Sequence, residues 1–173
     1  MLEYAGAHKV LLLEGGFNAW RRSHLPVQNK SVKLDQKAFR IRPNSKLLAT
    51  ADEIRVGRSS LVLDVRTKGE FAGKEGRDCD KRRGRIPRAR WLEWSYFLQD
   101  GKRFKTRSEL ANALKEKRLT KNRLVVTYCH RGARAAAAYY ALRSLGFGDV
   151  KNYIGSRHEW SARKNLPVEK GDS

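Results

Sequence analysis

An apolar, β-prone run from Leu124 to Tyr128 stops at Cys129, and an alanine-rich helical stretch starts at Ala133. A strand that passes into a helix through so short a loop folds as a strand–turn–helix unit, the building block of parallel α/β sheets. Leu61–Val65 has the same near-continuous apolar character between Ser60 and charged residues, as expected of a strand buried on both faces. Asp64 ends that run and Cys129 follows the other. Ligands of open α/β sheets bind beyond the carboxyl ends of strands, so both residues are expected on one rim. Ser108–Lys117 reads as a helix with Leu110, Ala113 and Leu114 on one face. Ala133–Leu145 reads as a second, ended by Gly146, with Tyr139, Leu142 and Leu145 as core contacts. Thr50-Ala-Asp-Glu53 has capping-box spacing and opens a helix through about Val56. Phe39–Arg42 and Leu47–Leu48 read as short strands. The fold class is α/β, a mainly parallel central sheet flanked by helices on both faces.

The loop between Cys129 and the helix carries the chemistry. Four residues separate Cys129 from Arg134. At the N-terminus of the helix that follows, backbone N–H groups have no intrahelical acceptor and point at whatever lies in the turn. Helix dipole and arginine both favour thiolate, the reactive form of cysteine. An isolated cysteine at a strand end is most often buried and inert. Gly132, two loop arginines and the immediate helix start favour an anion cradle with a sulfur nucleophile at its centre.

Composition narrows the alternatives. The 38 Lys and Arg against 18 Asp and Glu give a formal charge of +20 over 173 residues. Such an excess steers small anions, or marks contact with nucleic acid or acidic proteins. Its densest stretch, Arg77–Arg90, reads first as a solvated loop. No aromatic-interleaved RNA-binding signature accompanies it, so nucleic acid stays a minor alternative. Two cysteines without paired spacing and no signal-like start argue for a reducing compartment and a cytoplasmic protein. Cys79, in the basic loop, reads as a free surface thiol. No apolar run has the length of a membrane span. His8, His24, His130 and His158 have no metal-ligand spacing with each other or with cysteine, so neither metal nor other cofactor is expected. No phosphate loop of the Gly-Lys-Ser/Thr type occurs.

The two ends of the chain resemble each other. Gly6, Val10, Gly15 and Trp20 recur as Gly146, Val150, Gly155 and Trp160, and Leu25-Pro26-Val27 as Leu166-Pro167-Val168 after a one-residue slip.

Cys129-His-Arg-Gly-Ala-Arg134 resembles the active-site loop of rhodaneses, the thiosulfate and mercaptopyruvate sulfurtransferases. Leu61-Val-Leu-Asp64-Val-Arg66-Thr-Lys-Gly-Glu70-Phe71 is similar to the family's Asp-x-Arg…Glu-Phe segment, and Gly84-Arg-Ile86-Pro87-Arg-Ala89 to its Gly-His-Ile-Pro-Gly-Ala segment. Gly155-Ser156-Arg-His-Glu159-Trp160 is similar to its closing motif. Arg85 and Arg88 depart from the family's His and second Gly. The resemblance implies a catalytic domain over residues 45–173, a linker over 29–44, and residues 1–28 as the closing segment of an upstream repeat in a tandem rhodanese. It implies sulfur transfer through a persulfide on Cys129, with donors that are small anions and acceptors that are cyanide, a thiol or a sulfur-carrier protein. His130, Arg131, Gly132, Ala133 and Arg134 would form the loop that holds the persulfide and binds substrate. Asp64, Arg66 and Glu70 would support the rim. Glu70 stands where some two-domain members carry a substrate-binding arginine. Phosphatases and arsenate reductases that resemble rhodaneses place five residues between Cys and Arg, and the shorter loop here fits a sulfur atom better than a tetrahedral phosphate. The cationic His130-Arg131 resembles the thiosulfate users, since mercaptopyruvate users tend towards Gly-Ser. A mercaptopyruvate enzyme, or a non-catalytic module binding RNA or an acidic partner, are the alternatives.

Overall fold

The computed structural model describes residues 1–173 apart from 34, 36, 58, 59, 101, 102, 118, 172 and 173. Four parallel strands form the central sheet in the order β2-β1-β5-β6, with β1 at Leu61–Asp64, β2 at Arg90–Trp91, β5 at Val125–Tyr128 and β6 at Val150–Asn152. A two-stranded antiparallel ribbon, β3 (Leu98–Gln99) and β4 (Arg103–Phe104), lies outside it. The helices are α1 (Gly16–Arg22), α2 (Ala51–Val56), α3 (Lys68–Ala72), α4 (Arg107–Glu116), α5 (Ala133–Ser144) and α6 (Ser156–Ala162).

Strand alternation sorts the core into two layers. Leu61 and Leu63 of β1 and Val125 of β5 face Leu110 and Leu114 of α4 and Ala135, Ala138 and Leu142 of α5. Val62, Val126 and Tyr128 face Ala51 and Ile54 of α2, Phe71 of α3 and Trp160 of α6. Every residue of β1 and β5 is buried, which is why both runs are apolar without alternation. On α5, Ala135, Ala138 and Ala141 are fully buried, and their small side chains let the helix lie close on β5. The Thr127 hydroxyl donates to the Ala135 carbonyl across that contact at 3.1 Å.

Three helices open on capping boxes, Thr50 with Glu53, Thr67 with Glu70 and Thr106 with Glu109. Two expected strands do not form. Residues 39–42 carry no regular structure, and Ser45–Leu47 is a 3-10 turn after which Leu48 makes a single parallel bridge to Asn152. Phe39 and Ile41 are exposed, so no second sheet face exists to reward their pairing.

Nor is the basic run Arg77–Arg90 a purely solvated loop. The Arg82 guanidinium donates to the carbonyls of Trp160, Ser161, Arg163 and Leu166, capping the C-terminal end of α6, where carbonyls lack intrahelical partners. Arg85 is buried, lies 4.5 Å over the Phe71 ring and donates to the Gly171 carbonyl at 2.7 Å. Part of the formal charge is therefore structural.

In the N-terminal segment, Trp20 of α1 donates its indole N–H to the Pro26 carbonyl at 2.9 Å, as Trp160 does to Pro167 at 2.8 Å. The sequence repeat is thus also a repeat of one hydrogen bond. Tyr4 and Ala5 accept from the amides of Asn44 and Arg42, but Leu11, Leu12, Leu13 and Phe17 stay exposed. Among the described residues no helix is long and apolar enough to cross a membrane.

Candidate active site

β5 delivers Cys129 to the carboxyl edge of the sheet, beside the end of β1 with Asp64. The Cys129 side chain is buried, 1 % exposed, at the floor of the loop. Its amide donates to Ser156 Oγ at 3.1 Å, and its carbonyl accepts from Arg157. Gly132 then takes φ of +81° and starts α5. A Cβ at that position would stand 3.0 Å from the Ile154 Cα, so glycine is needed both for conformation and for space. Among the described residues, no protein acceptor engages the N–H groups of His130, Arg131, Gly132, Ala133 or Arg134. Those five donors and the α5 N-terminus make the loop a receptor for negative charge next to sulfur.

The two loop arginines differ. Arg134 is tied down, donating to both Glu70 oxygens at 2.6 and 2.8 Å. Arg131 is exposed at the mouth, with Nη2 3.4 Å from His158 Nε2. Ala133 contributes only backbone as the first residue of α5. Glu70 has two tasks, since it also closes the α3 capping box with Thr67. Burial pushes its carboxyl up, but the hydrogen bonds from Arg134 and the Thr67 amide and the Arg134 charge outweigh that and bring it down to about 2. Its folded value lies below the ordinary ~4.3 of an unfolded glutamate. The pair's stabilisation is therefore complete above pH ~4.3 and is lost as pH falls towards 2. Urea unfolding across that window should show stability falling with pH, and Glu70→Gln should flatten part of the slope. An unchanged slope would mean that Arg134 does not engage the carboxylate in solution.

Beneath the rim, Asp64 accepts from the Arg66 amide, from Arg66 Nε and Nη2, and from the Tyr128 hydroxyl at 2.5 Å. Arg66 Nη2 also reaches the Gly84 carbonyl at 2.9 Å. Burial works against the Arg66 charge and Asp64 more than restores it. Burial and the neighbouring Asp64 push the Tyr128 phenol up, keeping it a proton donor. Asp64 and Arg66 thus brace β1, β5 and the Gly84–Ala89 segment from below and have no access to the mouth. Trp160 is core, and Trp91 and Trp94 are packed against core at half burial.

Ser156 was legible only as part of a motif. It is fully buried with φ of +50°, donates to the Tyr153 carbonyl at 2.7 Å and holds the Cys129 amide. A strained non-glycine residue fixed by two hydrogen bonds is a positioning device that no composition or spacing signal announces.

Histidines without metal-ligand spacing along the chain come together in space. His130 and His158, unpaired by spacing, meet beside Cys79 and Asp80, with one ligand atom of each of the four within 4.8 Å of the others. Burial lowers the pKa of His130, Asp80 pulls it the other way, and Arg131 and Arg77 add to the lowering, so the ring favours its neutral form.

The family model described as rhodanese-like domain matches residues 45–163. A protein of Mycolicibacterium smegmatis, provisionally named thiosulfate sulfurtransferase, is 31 % identical over 176 residues, covering 96 % of this chain and 63 % of that protein. The 3-mercaptopyruvate sulfurtransferase of Escherichia coli K12 is 29 % identical over 173 residues, covering 98 % and 61 %. The chain thus spans under two thirds of the length of these relatives. Among solved structures, the anaerobic ergothioneine biosynthesis enzyme of Chlorobium limicola superposes with a TM-score of 0.87 at 22 % identity, over 97 % of this chain and 43 % of that one. YnjE superposes at 0.88 and 24 % identity, over 99 % and 45 %. At such identities the likeness is one of fold.

Proposed function

The chain belongs to the rhodanese-like domain family, and from that premise we propose that it is a thiosulfate sulfurtransferase working through a persulfide on Cys129. Its named relatives include sulfurtransferases of both the thiosulfate and the 3-mercaptopyruvate type. The observation that carries the reading is the buried cysteine beside a loop whose five amide N–H groups have no protein acceptor among the described residues.

The Cys129 thiolate attacks the outer sulfur of thiosulfate. The sulfur–sulfur bond of the donor breaks, sulfite leaves with the electron pair, and the outer sulfur stays on Cys129 as a persulfide anion. A thiolate or cyanide then attacks that sulfur and returns Cys129 as thiolate. Dividing the transfer at a covalent intermediate gives two easier steps and ping-pong kinetics. Amide donors preorganised around the persulfide stabilise its charge as an oxyanion hole stabilises an alkoxide. Arg131, exposed at the mouth with His130 beside it, suits the sulfonate end of thiosulfate, whereas Arg134 is occupied by Glu70 and acts by shaping the loop. The acceptor is a small thiol or a sulfur-carrier protein, and the setting is cytoplasmic. Residues 1–28 are the closing segment of an upstream repeat, a reading supported by the shared Trp–Pro hydrogen bond.

Intact mass after incubation with thiosulfate tests the central step. The parent should gain one sulfur atom and Cys129→Ser none. Gain with 3-mercaptopyruvate but not thiosulfate would move the specificity to the other donor. Gain with neither, in folded protein, would remove the sulfur-transfer reading.

A further inference from the structure

Cys79, Asp80, His130 and His158 come from two distant stretches of chain and converge at one edge of the active loop. Cys79 Sγ lies 3.7 Å from His130 Nε2, and Asp80 approaches His130 Nδ1 at 3.3 Å and His158 Nδ1 at 3.9 Å. The Asp80 side chain is only 4 % exposed. Three buried polar atoms of this cluster, Asp80 Oδ1, His130 Nδ1 and His158 Nδ1, make no well-aligned hydrogen bond, although Asp80 lies within ion-pair distance of both imidazoles. Buried polar atoms left without a good partner are costly. Three at one point call for a common partner. The anionic candidate is excluded by chemistry, since a carboxylate and a thiol would face it.

We propose that these four side chains form a binding site for a divalent cation of the Zn(II) type, separate from the sulfur-transfer cysteine. One thiolate, two imidazoles and one carboxylate are a Zn(II) donor set, whereas Mg(II) and Ca(II) take oxygen ligands. A thiolate and a carboxylate together neutralise the ion, which a surface carrying Arg77, Lys81 and Arg131 requires. In tetrahedral Zn(II) the ligand atoms stand about 3.3–3.7 Å apart. The present spread, at most 4.8 Å, closes by small side-chain rotations, chiefly of the exposed Cys79. The backbone turn is already made, because the His158 amide donates to the His130 carbonyl at 3.1 Å and sets the two rings edge to face at 5.7 Å. Since His130 is the residue after Cys129, an ion here ties the active loop to the basic loop.

Co(II) and Zn(II) titrations of the reduced Cys129→Ser protein test this without the catalytic thiol. The expected result is one Co(II) per chain with a near-ultraviolet thiolate-to-cobalt band and the intense visible bands of tetrahedral coordination, displaced by one Zn(II). Cys79→Ser in that background should abolish the thiolate band and weaken Zn(II) binding at least ~10-fold, and His158→Asn should weaken it by at least as much. Far-ultraviolet circular dichroism confirms that each variant is folded. Equal Zn(II) affinity with and without these substitutions means an adventitious ion only, and overturns the proposal. So does a thiolate band seen in the parent but absent from Cys129→Ser, which would put the metal on the catalytic cysteine. Both outcomes are independent of whether Cys129 carries sulfur.

Discussion

Asp64→Ala is expected to lower unfolding free energy by about 3–5 kcal/mol, the cost of removing one partner from a buried ion pair. The Asp64 side chain is 0 % exposed and Arg66 2 %, so neither charge can turn to water when the other is lost. The substitution leaves the Arg66 guanidinium with the Gly84 carbonyl as its hydrogen-bond acceptor and the Tyr128 ring face as its other contact among the described residues, and takes away the acceptor of the Tyr128 hydroxyl. Domains of this size have roughly 5–15 kcal/mol in total, so the variant should be poorly folded at physiological temperature. The midpoint of urea unfolding, read with an unchanged m-value, measures it. Replacing Asp64 and Arg66 together by apolar residues of similar volume should restore much of the loss, because the desolvation of both charges is relieved. A single-variant loss below ~1 kcal/mol would mean that the pair is hydrated, contrary to its burial.

Gly132→Ala is expected to act on turnover, lowering kcat by ~10²–10³ with either sulfur donor. At φ of +81° an alanine meets a conformational cost of about 1–2 kcal/mol. Its Cβ would also press against the Ile154 backbone at 3.0 Å. The loop can relieve both only by rotating the peptides on either side of residue 132, and those peptides carry two of the N–H groups that the proposed mechanism uses. Loss of one well-placed oxyanion donor is worth about that much in rate. Steady-state kinetics should show the fall in kcat. The midpoint of thermal unfolding should move by only a few degrees, since ~1 kcal/mol in a domain of this size shifts it by about 2–4 °C. Unchanged kcat would mean that the loop amides do not serve the reaction.

Much of the site was legible in the chain because its signals are local. Cys129 to Arg134 is a single turn whose strand and helix are written into the residues on either side. The buried strands at 61–64 and 125–128 and the capping box at Thr50 depend on neighbours within a few positions. Where local pattern misleads, the deciding contact is remote. Arg82 and Arg85 look like any solvated basic run until α6 and Gly171 arrive to accept from them, 78 to 86 residues away. The expected strand at 39–42 does not form: Phe39 and Ile41 stay exposed, and the Arg42 amide bonds to the Ala5 carbonyl rather than joining the central sheet.

By itself, the sequence determined the α/β class, the strand–turn–helix that carries the candidate nucleophile and the repeat at the two ends, all properties of short-range pattern and backbone preference. Only the tertiary structure decided that Arg134 is bound to Glu70 while Arg131 stays at the mouth, and that Ser156 holds the Cys129 amide. It alone decided that Cys79 and Asp80 meet His130 and His158. Side chains separated by tens of residues become neighbours when parallel strands carry their ends to one rim, and no spacing rule along the chain records that convergence.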